Sequence, residues 1–330
     1  MTSHEVVVVT GASAGVGRAV AKRFARDGAA IGLIARSPEA LEGARRDVEA
    51  EGGRALVLPC DVSDADALDA AAGAVEDAFG PIDVWVNNAM TTVFAPFIEV
   101  EADEYRRATE VTYLGTVWGT RAALARMKPR DRGAIVIVGS ALAYRGIPLQ
   151  APYCGAKHAT KGFFESLRTE LRHDGSRVHL TMVQLPGLNT PQFEHCRSKM
   201  PKLPQPMPPF YEPEVAADAV HWAAHHRRRE VWVGGPTVKT IIGEKVLPGL
   251  VERVLAKRAI TGQQTDVPVD PDRPDNLFEP VPGDPGARGP FSDRARTRSV
   301  QLQASKVRGV LGAAALIGVT GGVAGLLRAR

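Results

Sequence analysis

Short runs of aliphatic residues alternate with longer amphipathic stretches through the first 236 residues. Glu5-Val6-Val7-Val8-Val9 reads as a buried strand, and Ile31-Gly32-Leu33-Ile34-Ala35 as a second. The same signal marks strands at 54–58, 82–86, 134–138, 177–183 and 230–233. Helical periodicity fills the intervals at 16–27, 38–51, 64–79, 101–127, 152–173 and 213–225. Strands without a polar face are buried on both sides, and helices between them supply the crossovers that parallel neighbours need. The expected fold class is therefore α/β: a doubly wound, mostly parallel seven-stranded sheet with helices on both faces.

The pattern changes beyond residue 236, so residues 1–236 are taken as the main domain and the rest as a C-terminal extension. Residues 237–260 read as amphipathic helix, broken at Pro248-Gly249. Residues 261–305 are rich in Pro, Asp, Gly and Arg without periodicity, and are expected to be an extended, poorly ordered linker. Residues 306–330 read as an apolar helix, with the uncharged run 309–327 flanked by Arg308 and Arg328. Such a run spans about 28 Å as a helix, close to the ~30 Å of a bilayer core. Paired glycines (Gly318/Gly322 and Gly321/Gly325) suit helix contact in a membrane. The run is a candidate membrane anchor; its Gly and Ala content equally fits a helix docked on the body or on a partner.

Composition narrows the class. Of 330 residues 44% are hydrophobic, which excludes wholesale disorder and a small disulfide scaffold. The net charge of +4 comes from the tail, where eight basic residues from Arg288 onward face one acid, Asp293. The body lacks the basic surplus of a nucleic-acid binder, so no nucleic-acid partner is expected. Cys60, Cys154 and Cys196 form no disulfide pattern, and the N-terminus carries no signal-like segment. The expected location is cytoplasmic, with membrane association through 309–327 if that run is an anchor.

The chemistry starts where the first strand ends. Thr10-Gly11-Ala12-Ser13-Ala14-Gly15-Val16-Gly17 sits between strand and helix. Its glycines allow a tight turn and close approach to a pyrophosphate, whose charge the helix N-terminus favours. That context predicts a Rossmann-type nucleotide site. The G-x-x-x-G-x-G spacing, Asn87-Asn88-Ala89, Ser140, Tyr153-Cys154-Gly155-Ala156-Lys157 and Pro186-Gly187 with Thr190 follow in order. Together they resemble the short-chain dehydrogenase/reductase family over residues 5–236. The resemblance implies hydride transfer between a nicotinamide cofactor and a small-molecule carbonyl or alcohol. It also implies a homo-oligomer joined through helix 152–173. It places Asp61 and Val62 at adenine, Asn88 and Ala89 in the cofactor site, and Pro186, Gly187 and Thr190 over the nicotinamide.

Tyr153 and Lys157 are four residues apart and share a helix face. A Lys ammonium beside a phenol, together with the positive charge of an oxidised nicotinamide, favours tyrosinate and is expected to lower the Tyr153 pKa from about 10. Tyr153 would then act as general acid or base, with Ser140 holding the substrate oxygen. The resemblance adds that Lys157 holds the nicotinamide ribose. It also shows two departures. Thr112 stands where the family has Asn; its hydroxyl is expected to bond back into its helix and distort it, partly replacing the Asn. Met90 stands where the family has Gly.

The second strand ends in Ala35-Arg36-Ser37, without the acid that would hold a ribose 2′-hydroxyl. Arg36, with Ser37 beside it, is expected to bind a 2′-phosphate, so NADP(H) is preferred over NAD(H). Arg36 stacked on adenine is the alternative. The lid, residues 188–212, carries Phe193, Met200, Met207, Phe210 and Tyr211 among six prolines. It suggests an apolar substrate, or simply a lid that packs itself down. His221 and His225 lack the glutamate of a zinc motif, and no metal is expected. The competing functions are a catalytically weak nucleotide sensor and a membrane-tethered scaffold on the same fold.

Overall fold

The computed structural model describes residues 4–270 and 272–307. The central sheet has seven strands: β1 Val6–Thr10, β2 Ala30–Ala35, β3 Arg54–Pro59, β4 Val84–Asn87, β5 Ala134–Ser140, β6 His179–Leu185 and β7 Glu230–Trp232. They lie in the order β3-β2-β1-β4-β5-β6-β7, and every neighbouring pair is parallel. The main helices are α1 Gly15–Ala25, α2 Pro38–Ala50, α3 Ala65–Phe79, α4 Ala102–Thr109, α5 Gly115–Arg130, α6 Ala151–His173, α7 Pro213–His225, α8 Gly234–Val246 and α9 Pro248–Gly262.

β1 shows why its sequence is uniformly apolar. Val7 and Val9 enter a core with Phe24 of α1, Leu41 of α2 and Val220 of α7. Val6 and Val8 enter the opposite core with Leu68 of α3, Met127 of α5 and Phe164 of α6. Successive side chains of a strand point to opposite faces, so helices on both faces leave no position for a polar residue. The chain winds outward from β1 to β3, then returns to β4 on the other side of β1. The loops after β1 and β4 diverge there and open a crevice at the carboxyl ends of the strands.

Two regions depart from the expected pattern. The helix expected over 101–127 is interrupted: α4 and α5 are joined by a π-helical turn, Glu110–Leu114. The segment expected to be a poorly ordered linker has little regular structure but is bound to the body throughout. Gln264–Pro268 pairs antiparallel with Lys202–Pro204. Leu277 is buried with Val93 and Ala95, Phe291 with Phe94, Phe193 and Phe210, and Leu302 in the α1 core. The anchors are isolated apolar residues among prolines and charges, so no periodicity announces them. Residues 234–262 form α8 and α9, which are separated at Leu247. Residues 300–307 are helical, and the apolar run 309–327 lies outside the described residues. Among the described residues no helix is long and apolar enough to cross a membrane.

Candidate active site

The glycine loop is built by its own packing. Gly11 and Gly15 have φ of +66° and +55°, in the left-handed region. A Cβ on Gly17 would stand 2.1 Å from the Gly11 carbonyl oxygen, and one on Gly11 2.9 Å from the Ala89 backbone. Backbone without side chains therefore faces the crevice at the start of α1, where the Gly15 N–H donates to the Gly286 carbonyl at 3.1 Å. Thr10 and Asn88 stitch this loop to the one after β4. The Thr10 hydroxyl accepts from the backbone N–H groups of Asn88 and Ala89 at 2.9 and 3.1 Å. The Asn88 amide donates to the carbonyls of Thr10 and Gly11 at 3.0 and 3.3 Å. Asn87 works one layer deeper, accepting from the Trp85 indole and donating to the Thr120 hydroxyl, both at 2.9 Å. Sequence reasoning gave Asn87 no role of its own; an amide closing a buried apolar strand was the available signal.

Two cavities open along the crevice. One, of about 220 Å³, lies over the glycine loop and is lined by Ser13, Ala14, Gly15, Arg36, Ser37, Asp61, Val62 and Ala89 among others. Ser37 caps α2 by accepting from the Ala40 N–H at 3.2 Å. Asp61 accepts from the Ser63 N–H and hydroxyl and pairs with Arg107, which together hold its carboxyl below the usual value despite burial. Arg36 donates to the backbone carbonyls of Asn276, Leu277 and Phe278 in the extension. Its carboxylate neighbours, Asp61 and Glu279, act on it only through space. A bare backbone cradle, a helix N-terminus and an arginine without a bonded carboxylate fit the pyrophosphate and phosphate of a dinucleotide.

The second cavity, of about 520 Å³, shares Val16, Asn88, Met90 and Thr190 with the first. Ser140, Tyr153, Lys157, Pro186 and Gly187 line it. Ser140 ends β5 in extended conformation, its hydroxyl accepting from the Leu142 N–H at 3.1 Å. Lys157 is buried, donates from Nζ to the Val138 carbonyl at 2.7 Å and sits 5.6 Å from the Tyr153 ring centroid. Burial drives the pair toward neutrality. It pushes the Tyr153 phenol above its ordinary value, with the Ser140 hydroxyl pulling back, and lowers the Lys157 amine to about 8. The expected depression of the Tyr153 pKa is therefore not a property of the chain alone. Desolvation of the phenol is the dominant influence on it in the chain by itself.

Thr112 differs from expectation in its partner. Its hydroxyl does not bond back into its helix. It donates to the Thr91 carbonyl at 2.9 Å and accepts from the Thr91 N–H at 3.0 Å. The helix is distorted all the same, because Thr112 lies inside the π-turn, where its own carbonyl accepts from the Thr116 hydroxyl at 3.1 Å. Thr112 is fully buried and does not line the 520 Å³ cavity, so it positions the loop that carries Met90.

The lid divides its apolar residues between two tasks. Phe210 and Tyr211 are buried, Phe210 against Phe291 of the extension. Pro206, Met207 and Phe193 face the cavity, whose far wall comes from Val251 and Leu255 of α9. Helix α9 is tied down by Gln263, which accepts from the Gln150 amide and donates to the Pro148 carbonyl at 3.0 Å. The extension thus completes a cavity that sequence reading assigned to the lid. Thr190 packs over the glycine loop, within 3.3 Å of where a Gly15 Cβ would stand. His221 and His225 lie against Asp27 and Glu5, and among the described residues no cluster of three or more metal-ligating side chains occurs.

A parallel sheet with this strand order, a glycine-cradled crevice and a Ser–Tyr–Lys wall define an α/β dinucleotide-dependent oxidoreductase. Residues 5–201 match the family model of the short chain dehydrogenases, and the chain belongs to that family. It is 31% identical over 317 residues to the uncharacterized oxidoreductase YxnA of Bacillus subtilis (strain 168), covering 96% of this chain and 88% of the relative. A 3-dehydrosphinganine reductase of Danio rerio is 34% identical over 192 residues, 57% of each chain. Among solved structures, a metagenomic short-chain oxidoreductase in complex with NADP is 30% identical, with a TM-score of 0.58 over 69% of this chain and 96% of that one.

Proposed function

We propose that the protein interconverts a lipophilic carbonyl compound and its alcohol with NADP(H), using Tyr153 as general acid or base. The observation that carries this reading is the convergence of Ser140, Tyr153 and Lys157 on one cavity that continues into the glycine-loop cavity. Bound NADPH would supply the hydride for carbonyl reduction, and NADP⁺ would accept it in alcohol oxidation. Gly11, Ser13, Ala14, Gly15, Val16 and Gly17 hold its pyrophosphate, with Thr10 and Asn88 keeping that loop in shape. Ala89, Asp61 and Val62 border the adenosine end, and Pro186, Gly187 and Thr190 the nicotinamide end. Ser140 holds the substrate oxygen. The buried phenol of Tyr153 stays protonated at neutral pH, ready to donate to that oxygen as it gains charge. Lys157, fixed by the Val138 carbonyl, holds the ribose and biases the phenol from below the ring.

Arg36 supports NADP over NAD. Three carbonyls take part of its donor set, leaving its Nε–H and its full charge for a 2′-phosphate. The NADP in the metagenomic relative agrees. The apolar character of the substrate rests on Pro206, Met207, Val251 and Leu255 around the cavity, and the relative named as a 3-dehydrosphinganine reductase agrees with it. Val246, Leu247, Leu250 and Val254 are exposed on the same helical pair, which suits capture of such a substrate at a lipid surface.

The test is NADPH and NADH oxidation by the full chain over a carbonyl panel running from small aldehydes to long-chain and steroid ketones. Turnover on apolar ketones, better with NADPH, is expected to fall 10²- to 10⁴-fold in Tyr153→Phe with the melting temperature unchanged. Tight NADPH binding without turnover on any carbonyl would favour the nucleotide sensor instead.

A further inference from the structure

The extension does more than wall the substrate cavity. Residues 276–286 run across the mouth of the dinucleotide crevice and are fastened on both banks. On one bank Asp284 pairs with Arg18, the buried arginine of α1 that also holds Asp47 at 2.9 Å. Gly283 donates its N–H to Glu39 at 2.9 Å, and Gly15 donates its own N–H to the Gly286 carbonyl at 3.1 Å. On the other bank Arg107 donates to the Leu277 carbonyl at 3.2 Å, and Asn276 donates its N–H to the His195 carbonyl at 2.8 Å. Arg36, between the banks, is bound by three carbonyls of the same segment. Space remains beneath this strap. The 220 Å³ cavity is lined by Arg36, Asp61 and Val62 of the body and by Pro280, Val281 and Pro285 of the strap.

We propose that residues 276–286 are the outer wall of the dinucleotide site, closing over the adenosine half of the cofactor, so that cofactor exchange requires the strap to open. The proposal rests on the reading above that this crevice binds NADP(H). Over the adenosine half a wall fits better than a plug, because a cavity of about 220 Å³ remains there, lined by Arg36, Asp61 and Val62 and by Pro280, Val281 and Pro285, whose apolar faces suit a flat base. At the cradle itself the Gly286 carbonyl holds the Gly15 N–H, a bond that a bound pyrophosphate would replace. Its neutral carbonyls orient Arg36 without cancelling the charge that a phosphate would meet. Fastening by the part-buried Asp284–Arg18 ion pair, with Arg46 at 3.8 Å from the same carboxylate, and by several backbone hydrogen bonds makes opening slow compared with an uncovered crevice.

The experiment uses the full chain loaded with NADPH, whose release into excess NADP⁺ is followed by stopped-flow fluorescence. Asp284→Ala removes the Arg18 fastening and is expected to speed release at least tenfold, with Arg18 still held by Asp47. The converse is a lock. A Cβ on Gly43 would stand 2.5 Å from the Asp284 carboxyl carbon, so Gly43→Cys with Asp284→Cys places the two Cβ atoms within disulfide reach. Loaded with NADPH and then oxidised, this variant is expected to retain the nucleotide through gel filtration and release it on reduction. Asp284→Cys alone, treated the same way, controls for the native cysteines. Release at the wild-type rate from both Asp284→Ala and the oxidised lock overturns the proposal. So does tighter NADPH binding in Asp284→Ala, which would make the strap a plug. If the wild-type chain binds neither NADPH nor NADH, the reading of the crevice itself fails and the proposal falls with it.

Discussion

Thr112→Val tests whether the buried hydroxyl positions the loop beside the active site. Valine keeps the volume and β-branching but removes both bonds to Thr91, whose backbone is buried as Thr112 is. The substitution leaves one backbone N–H and one C=O without a partner in a dry site. Each orphan costs about 1–3 kcal/mol, so a loss of roughly 2–6 kcal/mol is expected. For a chain of this size that corresponds to a fall in Tm of roughly 3–9 °C. Thr112→Ser keeps the hydroxyl and loses one methyl, at a cost of about 0.5–1.5 kcal/mol. Because Thr91 follows Met90 and Asn88, a displaced loop also misplaces groups at the junction of the two cavities. A shift of about 1 Å there lowers kcat/KM on the order of 10²-fold. Thermal unfolding and NADPH turnover of the two variants read both effects. A valine variant as stable and active as the parent, or a serine variant as damaged as the valine one, would refute the positioning role.

Two further outcomes follow from the site. Gly17→Ala drives a methyl against the Gly11 carbonyl, so the phosphate loop must shift; NADPH is expected to bind at least tenfold more weakly, by fluorescence titration, with only about 1–3 kcal/mol lost in urea melts. Folding lowers the Lys157 pKa from its ordinary 10.5 to about 8. Between these values the unfolded chain binds the extra proton, so stability from this group rises with pH across that window and is least below about 8. Comparing urea midpoints at pH 7.5 and 9.5, Lys157→Met should lose that upward slope; an unchanged slope would show that Lys157 is not desolvated.

The order of strands and helices is written locally. Strands buried on both faces must be apolar throughout, and the helices between them must be amphipathic, so a short window identifies each element. The glycine loop is local too: positive φ and the contact between Gly11 and Gly17 involve residues within a single turn. Ser140, Tyr153 and Lys157 needed only the end of one strand and the first turns of one helix to meet. What the tertiary structure decided is everything that depends on partners distant in sequence. The three carbonyls on Arg36 come from about 240 residues away, and the Asp284 that pairs with Arg18 from 266. Thr112 found Thr91, 21 residues back, where hydroxyl chemistry alone pointed into its own helix. The pKa directions of Tyr153 and Lys157 follow from how deeply the fold buries them, which no spacing records. A segment of prolines and charges with no period reads as a linker until a groove exists for it to cross. Local pattern dictates which backbone a stretch can adopt, whereas burial and long-range hydrogen bonding exist only once the layers have come together.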